Sequence, residues 1–340
     1  MFDEQSFALL EDSRGRLIYG KGPFIESSTP SVDGICFFLN NFNLSNEEPW
    51  LIPSEFSIID SKDHFWSTEF DIERLQWMDP TIDLFSDQFN SIKDSMRSNG
   101  LLKTVPVTVS SSKFNDLSSI FPKIVKNGIK VNGPSHFYAF RNSSYAFAGL
   151  SPEILFEINN NTLRTMALAG TTHADNLETF LEDQKEINEH QIVVDSLRRR
   201  LSEFGAIVES ERKTLNVGGI IHFLTEFEVT LSEFASIDHI LKQIHPTPAI
   251  GTVPRNTNTL NTLNLLRKQS NSPSMFAAPF GVKVDGNFIS YIMIRGVFFD
   301  GNTLSLPTGC GITKYSDLNS EWDELALKRQ WVKDTFGLNL

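Results

Sequence analysis

The amino-acid sequence predicts an α+β fold with a largely antiparallel sheet. Three observations lead there. Strand-like segments follow one another in meander-like series from about residue 100 onward, and helical periodicity is confined to a few stretches grouped between them. No internal repeat, low-complexity tract or linker divides the 340 residues, so a single domain spanning 1–340 is expected, and its 40 % apolar content can fill a sizeable core.

In chain order, the first ninety or so residues mix short apolar runs, GICFFLN and LIPSEFSIID, with Ser, Asn, Pro and Gly, which reads as strands and turns. LLKTVPVTVS, SHFYAFRNSSYAFAGL and ILFEI then read as strands, the last leading through an Asn-rich turn into TLRTMALAG. A long helix is expected from about Leu177 to Phe204, because Phe180, Leu181, Ile187, Val194, Leu197 and Leu201 recur at helical spacings and Gly205 can stop it. After the strand-rich GGIIHFLTEFEVTL come a shorter helix near 233–243, a loop with three prolines (HPTPAIGTVPR) and a helix around 258–268. Two apolar strands, NFISYIMIRGVFF and NTLSLPTG, are joined by an Asp300-Gly301 turn, and a last helix runs from about Asn319 to Phe336.

Composition excludes several functions. A formal charge of −12, with no run of Lys and Arg that would act as a basic groove, disfavours nucleic acid. No stretch approaches the roughly 20 apolar residues of a membrane-spanning helix, and the N-terminus lacks a signal pattern, so the expected location is the cytoplasm. Cys36 and Cys310 fit no metal-ligand spacing and read as reduced thiols. An acidic protein that takes an anionic substrate needs a local cation, from cleft Arg and Lys or from a metal.

Glu186 and Glu189 stand three residues apart on the long predicted helix, as do Glu321 and Glu324 on the last one, with Lys328 a turn further on. Spacing alone leaves two readings open: solvated helix faces with an ordinary Glu324–Lys328 pair, or carboxylates gathered for a metal. His190 reads as a solvated or capped histidine and His222, in IIHFL, as a core histidine, each with a functional alternative. Arg295, inside the apolar YIMIRGV, must find an anionic partner or reach solvent. Lys103, in LLKTVPV, is either an edge-strand lysine facing water or a buried amine whose lowered pKa suits a general base.

Nine segments in order, NGLLKTVPV, FAGLSPEILFEI, TMALAGT, DQKEINEHQIVVDSL, HPTPAIGTVPR, FAAPFGV, YIMIRGVFFDGNTL, GCGI and SDLNSEWDELALK, resemble the chorismate-binding enzyme family over roughly residues 90–336, with 1–90 only weakly matched. The resemblance implies two large antiparallel sheets packed face to face, with helices outside and the active site in a cleft. It implies magnesium held by Glu189 and Glu324, with Glu186 and Glu321 as outer partners. Gly170, Thr171, His222, Ala249, Phe276, Arg295, Gly309, Gly311 and Lys328 are implied to line the site of the substrate, chorismate. It further implies Lys103 as the base that activates water and Glu153, of SPE, as the acid that protonates the leaving hydroxyl.

Within the family, the resemblance points to isochorismate synthase. Members that add ammonia typically carry Gln where Lys103 stands, and the lysine nucleophile of some aminating members is replaced here by Ala169. Phe276, Ile294 and Ala249 stand where salicylate synthases commonly have Tyr, Leu and Thr. No glutaminase subunit, nucleic acid or membrane is then expected as a partner, and the protein is expected to be a monomer. Pro106 and Thr108 depart from the family pattern after the base, as do Thr172 and His173 after AGT and the Cys in GCGI. A salicylate synthase, an aminating enzyme and an inactive chorismate-binding homologue are the remaining readings.

Overall fold

The computed structural model describes residues 6–60, 74–232 and 235–339. An eight-stranded sheet runs, from edge to edge, Glu55–Ile59, Leu17–Lys21, Phe7–Glu11, His136–Arg141, Tyr145–Ser151, Gly296–Asp300, Thr303–Gly309 and Val107–Lys113. A second sheet runs Gly205–Glu209, Ile220–Leu231, Thr162–His173, Ile154–Asn159, Asn287–Ile292, Pro279–Val284, Ile35–Leu39, Trp50–Ile52 and Ile25–Ser27, with Lys213–Val217 also paired to Ile220–Leu231. The strand pairings are antiparallel. Strands from the weakly matched first sixty residues are thus woven into both sheets.

Period-two alternation explains why the sheets stack. In Phe7–Glu11, Ala8 and Leu10 enter the core between the sheets while Phe7 and Leu9 face the helices on the other side; Tyr145–Ser151 divides Phe147 from Ala146, Ala148 and Leu150 in the same way. Phenylalanines fill the space between the sheets, with Phe147 and Phe280 edge-to-face at 5.5 Å.

Seven α-helices surround this core among the described residues: α1 (Ile82–Ser98), α2 (Leu117–Ile129), α3 (Leu177–Glu182), α4 (Gln184–Leu201), α5 (Ile237–Ile244), α6 (Thr257–Gln269) and α7 (Leu318–Phe336). Buried residues of α2 and α7 cover the outer face of the eight-stranded sheet, and α4 packs along Thr162–His173.

Several expectations need correction. The single helix over 177–204 is two helices, because Asp183 leaves the helical path and its carboxylate accepts from the amides of Lys185 and Glu186 to cap α4. α4 stops at Leu201, before Gly205, which begins a strand. α5 begins at Ile237; residues 233–234, where the shorter helix was expected to start, lie outside the described residues. Neither α1 nor α2 was anticipated.

The most consequential correction concerns YIMIRGV. It is not one strand: Asn287–Ile292 belongs to one sheet and Gly296–Asp300 to the other, and Arg295 lies in the crossover with φ 54°. A second crossover, Ser151 to Ile154, lies beside it, tied by Leu150 N–H to the Arg295 carbonyl at 3.1 Å and by Ile292 N–H to the Glu153 carbonyl at 3.1 Å. A short three-stranded sheet, Thr252–Val253, Lys103–Thr104 and Ile312–Thr313, closes the same end.

Candidate active site

The two crossovers, the short sheet and the N-terminal turns of α4 and α7 meet around one cleft, with about 770 Å³ of space within it and at its mouth. Of the residues implied by resemblance, Glu153, Gly170, Thr171, Glu189, His222, Ala249, Phe276, Arg295, Gly309, Gly311, Glu324 and Lys328 line it. Lys103, Glu186 and Glu321 stand immediately behind that lining.

Glu153 sits on the crossover between sheets and is 2 % exposed. Thr247 donates its hydroxyl to Glu153 Oε1 at 2.9 Å, yet burial dominates and pushes the carboxyl up to about 7. A carboxyl protonated near neutrality can donate a proton.

Lys103 is fully buried, so the reading as an edge lysine facing water is wrong. Its Nζ donates to the carbonyls of Pro248 at 2.8 Å and Ala249 at 3.3 Å and lies 3.5 Å from Glu189 Oε1. Burial lowers its pKa, helped by the Lys328 charge and opposed by Glu189. Gly311 separates it from the cleft: a Cβ there would overlap Glu189 Oε1 and come within 2.7 Å of Lys103 Cε. Any side chain at 311 would collide with both groups.

The AGT segment owes its shape to a register shift between Ala169 and Thr172 in the pairing with Ile220–Leu231. Gly170 takes φ 73° there, and the Thr171 amide turns to donate to Glu186 Oε2 at 2.9 Å. His222 lies beneath, with Nδ1 at 2.9 Å from the Gly170 carbonyl and Nε2 at 2.9 Å from Arg295 Nη2. Arg295 has no acceptor role, so Nε2 must accept and Nδ1 must carry the proton, an assignment made from these partners. Burial, then the Arg295 charge, pushes His222 down to about 3, so the ring is neutral.

Arg295 is 6 % exposed and finds no carboxylate within bonding distance among the described residues. Its guanidinium is held instead between the His222 ring and the indole of Trp331, 5.3 Å from its ring centroid. Nη1 is buried without a hydrogen-bond partner. A buried, unsatisfied guanidinium N–H lining a cleft is suited to an anion.

The four helix carboxylates are buried rather than solvated: Glu186 8 %, Glu189 5 % and Glu321 0 % exposed, with the Glu324 side chain at 11 %. They gather around a residue that sequence reading missed. Lys185 Nζ lies 2.8 Å from Glu186 Oε1, 2.8 Å from Glu321 Oε1 and 3.4 Å from Glu189 Oε2. Burial pushes Glu186 up to about 8 and Glu321 up to about 7, with neighbouring carboxylates adding to both. Burial alone would raise Glu324 too, but Lys328 and Lys185 hold it down to about 2. Lys328 bridges Glu324 and the Gly309 carbonyl. Among the described residues no three His, Cys, Asp or Glu side chains converge on one point as they stand. The cluster nonetheless gathers four carboxyl groups from two helices, and Glu321 Oε2 is buried without any partner while Oε1 faces Lys185. That donor set, all carboxylate oxygen, fits a hard divalent cation.

His190 is buried against Phe223, 5.7 Å between rings, and burial pushes it down to about 4, so the expectation of a solvated histidine fails. Thr247 and Trp331 were also missed: Thr247 lay within the HPTPAIGTVPR segment without a role assigned to it, and Trp331, late in the last helix, falls outside the matching segments. Lys185 did carry a signal, standing four residues before Glu189 on one helix face.

Residues 58–337 match the family model described as chorismate binding enzyme. The chain is 27 % identical over 244 residues, 68 % of its length and 50 % of the relative's, to the salicylate biosynthesis isochorismate synthase of Pseudomonas aeruginosa. It is 29 % identical over 215 residues to the isochorismate synthase MenF of Bacillus subtilis, covering 60 % of this chain and 45 % of that one. It therefore spans about half the length of these curated relatives. The solved structure of MenF from Escherichia coli superposes with a TM-score of 0.80 at 18 % identity, covering 98 % of this chain and 88 % of that one.

Proposed function

Because the chain belongs to the chorismate-binding enzyme family, we propose that it is an isochorismate synthase, converting chorismate to isochorismate with magnesium. The observation that carries this reading is the pairing, at one cleft, of a carboxyl held protonated near neutrality, Glu153, with a buried amine of lowered pKa, Lys103. Addition of water to ring carbon 2 with loss of the hydroxyl from carbon 4 needs both a base for the water and an acid for the leaving group.

In this reading Lys103 accepts the proton of the attacking water, and Glu153 gives its proton to the departing hydroxyl as the ring double bond shifts. For Lys103 to act, its Nζ must release the Pro248 and Ala249 carbonyls, whose hydrogen bonds hold the protonated form. Arg295, with Nη1 unpaired, and Lys328 bind the carboxylates of the substrate. His222 fixes the guanidinium through Nε2. Glu189 and Glu324 would hold magnesium, with Glu186 and Glu321 behind them. When bound, the ion supplies positive charge for the ring carboxylate and neutralises the cluster. Ala169 leaves no lysine in the AGT strand to attack the ring.

The test is incubation of purified protein with chorismate and magnesium, with and without ammonium, followed by chromatography. Isochorismate in both reactions is expected. An aminated ring, or pyruvate released in step with chorismate loss, overturns the reading.

A further inference from the structure

The Lys185 ammonium stands where charge compensation by a divalent ion would be needed. It lies within 2.8 to 3.4 Å of carboxylate oxygens of Glu186, Glu189 and Glu321. We propose that Lys185 is a built-in counter-ion for this cluster and that divalent metal binds by exchanging with it, the ammonium swinging out as the metal enters. This rests on the magnesium reading above and adds a residue to it.

Three features support exchange over simultaneous occupancy. The carboxylates engaged by Lys185 are Glu189, offered as a direct ligand, and Glu186 and Glu321, offered as the partners behind it, so the ammonium and a divalent ion would draw on the charge of the same three groups. Lys185 sits in the first turn of α4 and its side chain is 18 % exposed, so an unbranched four-carbon stem has a route to solvent. Glu189 Oε2 faces Lys185, while Oε1 faces the bare Cα of Gly311 and lies 3.5 Å from the Lys103 ammonium, so neither oxygen is free of a cation while Lys185 stays in place. The exchange involves no covalent step, and Asp183 keeps the backbone of the turn capped whichever cation is present.

Two measurements on the full chain test this. The first titrates Mn²⁺, as a spectroscopic stand-in for magnesium, into wild type and Lys185→Met without substrate, with melting curves at each point. Removing the competitor should tighten Mn²⁺ binding about tenfold or more, the scale of changes next to a metal site. The variant should melt lower without metal, and Mn²⁺ should raise its melting temperature more than it raises that of wild type. Equal or weaker Mn²⁺ binding by Lys185→Met overturns the exchange. The second needs no variant: labelling of Lys185 by an amine-reactive reagent, read by peptide mass spectrometry, should speed up when Mn²⁺ is added. Unchanged or slower labelling in protein that binds the ion overturns the exchange while leaving the metal reading intact. Failure of wild type to bind Mn²⁺ even with chorismate present removes both.

Discussion

Glu153→Gln separates a proton-donating carboxyl from a merely structural one. The Glu153 carboxyl is buried and held at about 7, against the 4.5 of a free glutamate, by desolvation. At about 1.36 kcal/mol per pKa unit, this difference amounts to about 3 kcal/mol. The sign follows from proton uptake. Below pH 4.5 the carboxyl is protonated in both folded and unfolded chains and contributes nothing. Between 4.5 and about 7 the unfolded chain has lost the proton and the folded chain keeps it, so rising pH favours unfolding until the full cost is reached above that range. The amide that replaces the carboxyl in the variant cannot ionise and can still accept from Thr247. Stability of the variant minus that of wild type should therefore grow by about 3 kcal/mol from about pH 4 to about pH 8, read from urea unfolding at each pH. Subtracting wild type removes the parallel contributions of Glu186 and Glu321, which share the raised direction. Over the same range, wild-type turnover should fall as pH passes about 7 because the proton donor is lost, and the variant should be about 10²- to 10⁴-fold slower with that limb missing. Parallel stability profiles in the two proteins would refute the burial argument, and near-normal turnover would refute the role.

The other predictions address the remaining groups. Lys103→Ala should lose about 10²- to 10⁴-fold in turnover while chorismate still binds, measured by steady-state kinetics alongside equilibrium binding; retained turnover would place the base elsewhere. Arg295→Lys keeps the charge but loses the planar fork held between His222 and Trp331, so KM should rise about 10- to 100-fold with a smaller change in kcat, the scale of one charge-assisted hydrogen bond. An unchanged KM would show that Nη1 meets no carboxylate. Glu189→Gln and Glu324→Gln should each weaken the magnesium dependence of turnover sharply, and Glu186→Gln and Glu321→Gln by less, about 10- to 100-fold; an unchanged requirement in both of the first two would dismiss the cluster as a metal site.

What was legible in the sequence divides along physical lines. Tyr145–Ser151 could be read as a strand from its run of apolar, strand-favouring residues, although both of its faces are buried and no polar alternation marks it, whereas Phe7–Glu11, buried in the same way, was not singled out. α1 escaped because Ser, Asp and Asn dilute a stripe of only Phe85, Phe89 and Ile92; α2 because Pro122 and Gly128 read as breakers, although Ile120, Phe121, Ile124, Val125 and Ile129 are buried along it. The missing amide of Pro122 costs the helix a hydrogen bond, and that apolar face offsets the loss. Motif order pointed to Glu153, Arg295 and the four helix glutamates, and the fold gathers all of them at one cleft or immediately behind its lining. Motif order could not show that Arg295 leaves its strand, since an uninterrupted apolar run looks the same whether it stays in one sheet or crosses to another. Spacing places Lys185 beside Glu189 on one helix face but could not show that Glu321 meets it there, because Glu321 approaches from a helix more than a hundred residues away.

The central claim is that water, activated in this cleft, enters the ring of chorismate. It is tested most directly by turnover in ¹⁸O-water with magnesium and excess ammonium, analysed by mass spectrometry. The account predicts isochorismate carrying one ¹⁸O on carbon 2, with no nitrogen incorporated and no pyruvate released. An aminated product, or an unlabelled one, would contradict it.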